Sequence, residues 1–211
     1  MRKEALQKSD QDRLTPQNVL AALRSGNERY SSGNTQQVDA ASLRSQTTTG
    51  QFPKAVILSC IDSRVPVELV FDQHIGDVFV ARVAGNFEND DILGSMEYAC
   101  AVAGSKLIVV LGHAGCGAVK AACDGVELGH ITGMLASIRP AVDQTARATG
   151  KSPSSADADF VSATIENNVR ATMKRILEKS SILNDLFQKG SIGIVGGVYQ
   201  LDSGRVDWLD K

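Results

Sequence analysis

Five residues in two short segments carry most of the chemistry open to this chain. Cys60, Asp62 and Arg64 stand in Cys60-Ile-Asp-Ser-Arg64, and His113 and Cys116 in His113-Ala-Gly-Cys116. Two thiols and an imidazole are soft-to-borderline ligands, a set that suits Zn²⁺. Three protein ligands leave one tetrahedral position for water, the arrangement of a catalytic rather than a structural zinc. Glycines at 112, 115 and 117 allow a tight bend around the His-x-x-Cys pair. A helix opening near Gly117 would turn its positive end towards Cys116 and favour thiolate over thiol. Taken singly, each of the three reads as an ordinary buried residue; together, at strand ends, they read as a metal site.

Asp62 and Arg64 can form a bidentate ion pair beside that metal. Two roles are open to Asp62. It can accept a hydrogen bond from zinc-bound water while Arg64 fixes its orientation, or move onto the metal as a fourth ligand and displace that water. A phosphatase-type loop is excluded, because it needs a longer spacing between cysteine and arginine and Pro66 occupies the place required.

The elements that must deliver these groups belong to an α/β fold with a parallel sheet and an antiparallel edge strand. Apolar runs at 55–59 and 107–111 read as buried strands, each leading straight into one of the two segments. In open α/β sheets the carboxyl ends of parallel strands are where ligands bind. Further strands are expected at 77–81 and 191–199, with an edge at 205–208. Helices are expected from Pro16 to near Gly33 with Thr15 as cap, and at 90–103 and 117–122. Others follow at 129–148 with an interruption at Pro140, from Ser155 or Asp157 to about 179, and at 181–189. Residues 1–14 read as frayed, and 33–52 as a loop with room for one short helix. The chain thus divides into a helical arm, 1–52, and an α/β catalytic domain, 53–211. The arm carries Val19, Leu20, Leu23 and Tyr30 on one stripe ahead of the first strand, so the stripe needs a surface elsewhere, for which a second copy of the chain is a candidate.

With 211 residues and 43% apolar content the chain can bury one good core. A net charge of −2 gives no reason to expect nucleic acid or anionic lipid as a partner. No apolar run is long enough to span a membrane. The first residues lack the apolar centre of a signal peptide, and a cleaved targeting segment ahead of them is left open. Four cysteines make no disulfide framework here, so a reducing cytoplasm is the expected compartment.

Cys60-x-Asp-Ser-Arg64, Arg82-Val-Ala-Gly-Asn86, Gly94-Ser-Met-Glu-Tyr-Ala99 and Gly112-His-x-x-Cys-Gly-Ala-Val119 together resemble the β-class carbonic anhydrases. The likeness extends to Leu14-Thr-Pro, Gly26-Asn-Glu-Arg-Tyr30 and Gly196-Gly-Val-Tyr199, and so covers nearly the whole chain. The resemblance implies a four-stranded parallel sheet with a fifth antiparallel strand. It implies homodimers whose N-terminal helices embrace the partner and which often pair into homotetramers. It also implies reversible hydration of carbon dioxide to bicarbonate and a proton. Cys60, His113 and Cys116 would then bind zinc, Asp62 and Arg64 would form the catalytic dyad, and Gln73 would reach a neighbouring subunit's pocket to bind substrate. Some members carry a noncatalytic bicarbonate site built on a tryptophan three residues before the first zinc cysteine. Ile57 stands there instead, so no such site is expected, although Arg82 and Tyr98 resemble its other members.

Carbon dioxide is small and apolar, so the chemistry needs a dry pocket and a strong nucleophile. Two thiolates donate more charge than imidazoles, so activity should rise through the alkaline range. Rival readings are a carbon disulfide or carbonyl sulfide hydrolase on the same fold, and a non-catalytic zinc-binding dimerisation module. Cys100 and Cys123 read as buried core thiols, and His74 and His130 are given no role.

Overall fold

The strands are apolar on consecutive residues because both faces of the sheet are covered. In the computed structural model, which describes residues 2–209, β1 (Ala55–Ser59) and β3 (Leu107–His113) are buried throughout. Ala55, Ile57, Leu107, Val109 and Leu111 point to one face, and Val56, Leu58, Ile108 and Val110 to the other. This period of two splits the core into two layers. Five strands line up in the order β2-β1-β3-β4-β5, where β2 is Val78–Arg82, β4 is Gly193–Tyr199 and β5 is Val206–Leu209. The first four are parallel and β5 is antiparallel to β4, as expected.

The helices follow in chain order: α1 (Lys8–Asp12), α2 (Pro16–Ser31), α3 (Ala40–Gln46), α4 (Val67–Val70), α5 (Asp90–Glu97), α6 (Gly117–Cys123), α7 (Gly129–Ala136), α8 (Arg139–Thr149), α9 (Ala158–Lys179) and α10 (Ser181–Gln188). One sheet face is covered by α2 and α4, and the other by α5, α9 and α10. A third apolar cluster, built from α6 to α9, closes over the carboxyl ends of the strands and contains Cys60 and Cys116. None of the helices among the described residues is long and apolar enough to cross a membrane.

Several expectations change. The helix expected over 90–103 becomes α5 followed by a π-helical turn, Tyr98–Val102. The interruption expected at Pro140 is present, since α7 ends at Ala136 and α8 begins at Arg139 with Pro140 in its first turn, where its missing N–H costs nothing. Residues 2–14 are not frayed. Gln11 in α1 is fully buried, and its amide donates to the carbonyls of Pro53 (2.9 Å) and Ala103 (2.8 Å), which no hydropathy pattern would reveal.

The stripe on α2 does not wait for a second copy either. Val19 and Leu23 are fully buried against β1, β3 and α4 of their own chain. Polar residues of α2 secure that docking. Asn27 donates to the carbonyls of Val70 (3.0 Å) and Gly204 (2.8 Å) and accepts from the Val206 N–H (2.8 Å). Arg29 pairs with buried Asp72, and the Tyr30 hydroxyl meets that of Tyr199 at 3.2 Å. Residues 2–31 therefore share one core with the sheet they precede.

Asp77, fully buried just before β2, accepts both terminal nitrogens of Arg2 (2.7 and 2.8 Å) and the His74 N–H (2.9 Å). Burial pushes its carboxyl up, but Arg2, together with the Lys54 charge, outweighs that and holds it below the usual range. Asp77→Asn is expected to cost about 2–3 kcal/mol in urea unfolding at pH 7, below the full figure for a broken buried pair because Arg2 is partly solvated. A depressed carboxylate stabilises only where it is ionised, so the gap between variant and parent should close as pH falls below about 4.

Candidate metal centre

Register brings the two segments together. Ser59 is paired with Leu111 across β1 and β3, so Cys60 leaves β1 beside the last residues of β3. His113 ends that strand, two residues beyond its expected end, and is itself paired with Tyr199 of β4. Cys116 stands immediately before α6, whose amides at Ala118 and Val119 face its sulfur. Of the glycines around the pair, Gly115 adopts a left-handed φ of +66°. Gly112 lies within β3, where an added Cβ would sit 2.8 Å from a methyl of Val169 in α9. Its role is close packing rather than bending.

Cys60 Sγ, Cys116 Sγ and a ring nitrogen of His113 all lie within 4.8 Å of one another, and all three residues are buried. Among the described residues no other group of three such side chains is poised for a metal. His113 Nδ1 is 3.0 Å from the Ala114 carbonyl, which makes it the protonated nitrogen. That leaves Nε2 as a buried lone pair with no hydrogen-bond partner. A buried acceptor without a partner is costly unless a cation takes it up. The thiols make the same demand. The Cys60 thiol is drawn down chiefly by the Cys116 S–H, and further by His113 and the Gly85 N–H. Cys116 is correspondingly driven up by giving that hydrogen bond and by burial. One thiolate is comfortable here; two need a dication between them. Two sulfurs and one imidazole nitrogen fit zinc chemically.

Asp62 is not among the three. Arg64 holds it by Nε to Oδ1 (3.0 Å) and Nη2 to Oδ2 (2.8 Å), and the Arg64 N–H adds a third bond at 2.9 Å. The expected bidentate pair is present. Oδ2 of Asp62 nevertheless stands only 3.9 Å from His113 Nε2. Arg64 chiefly, and the His113 ring beside it, hold the carboxyl well below the usual range despite partial burial. The three candidate donors are thus buried, with a carboxylate that Arg64 keeps ionised at their edge.

Arg82, at the end of β2, donates to the carbonyls of Cys60 (2.8 Å) and Asp62 (2.7 Å). It braces the backbone carrying both a sulfur and the carboxylate, a function its place in the sequence did not suggest. Tyr98 lies on the outer surface, edge-on to Phe79 with ring centroids 6.2 Å apart. Gln73 is buried in its own loop, donating to the carbonyls of Phe71 (2.6 Å) and Asp72 (3.1 Å), and its Oε1 has no hydrogen-bond partner. None of its hydrogen bonds reaches the three donors. Ile57 is core, and Trp208 packs on Phe71 with Arg24 over its ring. Cys100 is pushed up to about 12 by burial, and Cys123 is also raised, so both remain thiols. His74 is half-buried beside Asp72, and His130 is exposed on α7.

A family model described as carbonic anhydrase matches residues 55–206. Carbonic anhydrase 2 of Mycobacterium tuberculosis is 39% identical over 187 residues, covering 87% of this chain and 88% of that protein. A carbonic anhydrase of Mycolicibacterium smegmatis is 36% identical over 188 residues, covering 88% and 89%. Among solved structures, the chain is similar to a β-carbonic anhydrase of Aspergillus fumigatus, with a TM-score of 0.73, 26% identity and coverage of 92% and 90%. It is equally similar to the Coccomyxa β-carbonic anhydrase in complex with acetazolamide, with a TM-score of 0.72, 26% identity and coverage of 92% and 85%. Sequence, sheet order and the Cys-His-Cys cluster agree, and the chain belongs to the β-carbonic anhydrase family.

Proposed function

We propose that this protein hydrates carbon dioxide reversibly to bicarbonate and a proton at a single zinc ion held by Cys60, His113 and Cys116. The observation that carries the reading is the buried, unpartnered Nε2 of His113 facing two thiols, with an ionised carboxylate standing beside it rather than among the donors. Zinc, when bound, supplies a hydroxide nucleophile near neutral pH by acidifying a coordinated water. Asp62 does the rest of the local work. Ionised and fixed by Arg64, it can only accept a hydrogen bond, so it orients the attacking hydroxyl instead of protonating it. Arg82 keeps the carboxylate and the Cys60 sulfur in a constant relation.

A homodimer, with Gln73 contributing to substrate binding across the contact, completes the proposal. Ile61, between Cys60 and Asp62, is 61% exposed and Leu69 is 60% exposed, which supports a second copy covering this edge. Residues 1–52 would add to that contact only through surfaces not already docked on their own sheet.

The test is stopped-flow carbon dioxide hydration between pH 6 and 9 on protein whose metal content has been measured. One zinc per chain and a rate rising towards alkaline pH are expected. A zinc-loaded protein that turns over carbonyl sulfide or carbon disulfide but not carbon dioxide would be a hydrolase instead. One inert towards all three gases would be a scaffold.

A further inference from the structure

Asn168 lies on α9 among apolar neighbours, 1% exposed, where a hydrocarbon side chain would avoid the cost of burying an amide. Its Nδ2 donates to the Gly85 carbonyl at 2.8 Å. Gly85 occupies the third position of a turn closed by the Asn86 N–H on the Val83 carbonyl at 3.0 Å. Its φ of +85° is the mark of type II geometry, and an added Cβ would sit 2.4 Å from Ile138 Cδ1. The N–H of the same Gly85 points at Cys60 Sγ, 3.4 Å away. The turn is therefore gripped on one side by an amide from α9 and presents a donor to a metal-binding sulfur on the other. Cys116 needs no such device, because the α6 amides already face it.

We infer that Asn168 is a positioning residue for the metal: by fixing Gly85 it aims a backbone N–H that shares the charge of the Cys60 sulfur. The inference rests on the metal site proposed above. Hydrogen bonds to a coordinating sulfur hold it in place and share its negative charge, and groups that orient ligands in this way commonly change metal affinity by about 10-fold or more. Without Asn168 the turn loses its anchor, the N–H wanders from the sulfur, and the lone pair of Cys60 rises in energy.

The experiment compares parent, Asn168→Leu and Asn168→Ala, each loaded with Co²⁺ as a coloured stand-in and separately titrated with zinc against a chelator. Both variants are expected to bind zinc about 10-fold more weakly and to show the sulfur-to-cobalt charge-transfer band at longer wavelength. Thr164→Val removes another buried polar group of α9, bonded to the Phe160 carbonyl at 2.8 Å and not to the turn. It should change the melting temperature without moving the band. A parent that binds neither metal refutes the metal site itself. A parent that binds both, with folded variants matching it in band position and zinc affinity, refutes the role of Asn168. If the leucine variant does not fold, the smaller alanine variant gives the same two readings.

Discussion

Cys116→Ala is expected to remain folded, to lose its stoichiometric metal, and to hydrate carbon dioxide no faster than buffer. Cys116 is fully buried and supplies one of two sulfurs to a three-donor site. Removing it leaves a single thiolate and an imidazole, too few donors to hold zinc against water and cellular ligands. With the metal goes most of an acceleration that in enzymes generally begins at about 10⁶-fold. Fold loss is a smaller effect, since deleting one sulfur from a packed cluster costs only about 1–2 kcal/mol. Cys123→Ala is the control, removing a thiol of the same apolar cluster that lies outside the donor set. Elemental analysis, circular dichroism and stopped-flow rates on the two variants together decide the matter. A Cys116→Ala protein with one zinc per chain and the parental rate would end the assignment.

Asp62→Asn is expected to keep its zinc and its melting temperature while losing about 10²–10⁴ in kcat, the usual worth of a positioned proton-handling group. The substitution preserves shape and removes the anion. An amide can donate as well as accept, so the orientation of the attacking hydroxyl is no longer enforced. Arg64→Ala should act in the same direction through a different route. Arg64 is the main reason that the Asp62 carboxyl sits so far below its ordinary range. Without it the carboxylate is free to turn towards the three donors, one of which, His113 Nε2, already lies 3.9 Å from Asp62 Oδ2. Metal content and kcat measured on the same preparations separate these effects from simple loss of zinc. A zinc-loaded Asp62→Asn enzyme with full kcat would show that the carboxylate is a bystander.

Much of this centre was legible beforehand because its parts are local. Cys60-Ile-Asp-Ser-Arg64 holds both members of the ion pair within one turn, and His113 and Cys116 lie at a spacing that a strand end can bring to one side. Both-face burial made β1 and β3 visible as unbroken apolar runs. What escaped were contacts between side chains and distant carbonyls. Gln11 on Pro53 and Ala103, Arg82 on Cys60 and Asp62, and Asn168 on Gly85 join residues far apart in the chain through single hydrogen bonds. A polar residue committed inside the molecule leaves no periodic trace, and Gln11 among charged neighbours looked like a solvated tail. The amphipathic stripe of α2 was visible, but periodicity names a buried face without naming what buries it.

The partners of Asn27 have a consequence for synthesis. This helix-borne amide is clasped by residues 177 and 179 positions downstream, one in the turn before β5 and one at its first residue. Loop closure of that length is slow and cannot begin until the last stretch has cleared the ribosomal tunnel. The apolar side of the N-terminal helix can be covered once residues 55–113 have emerged, but its Asn27 clasp stays open for nearly the whole of translation. Chains stalled or truncated short of residue 204 would leave that amide unpaired and the helix less firmly latched, and so more open to capture by holding chaperones.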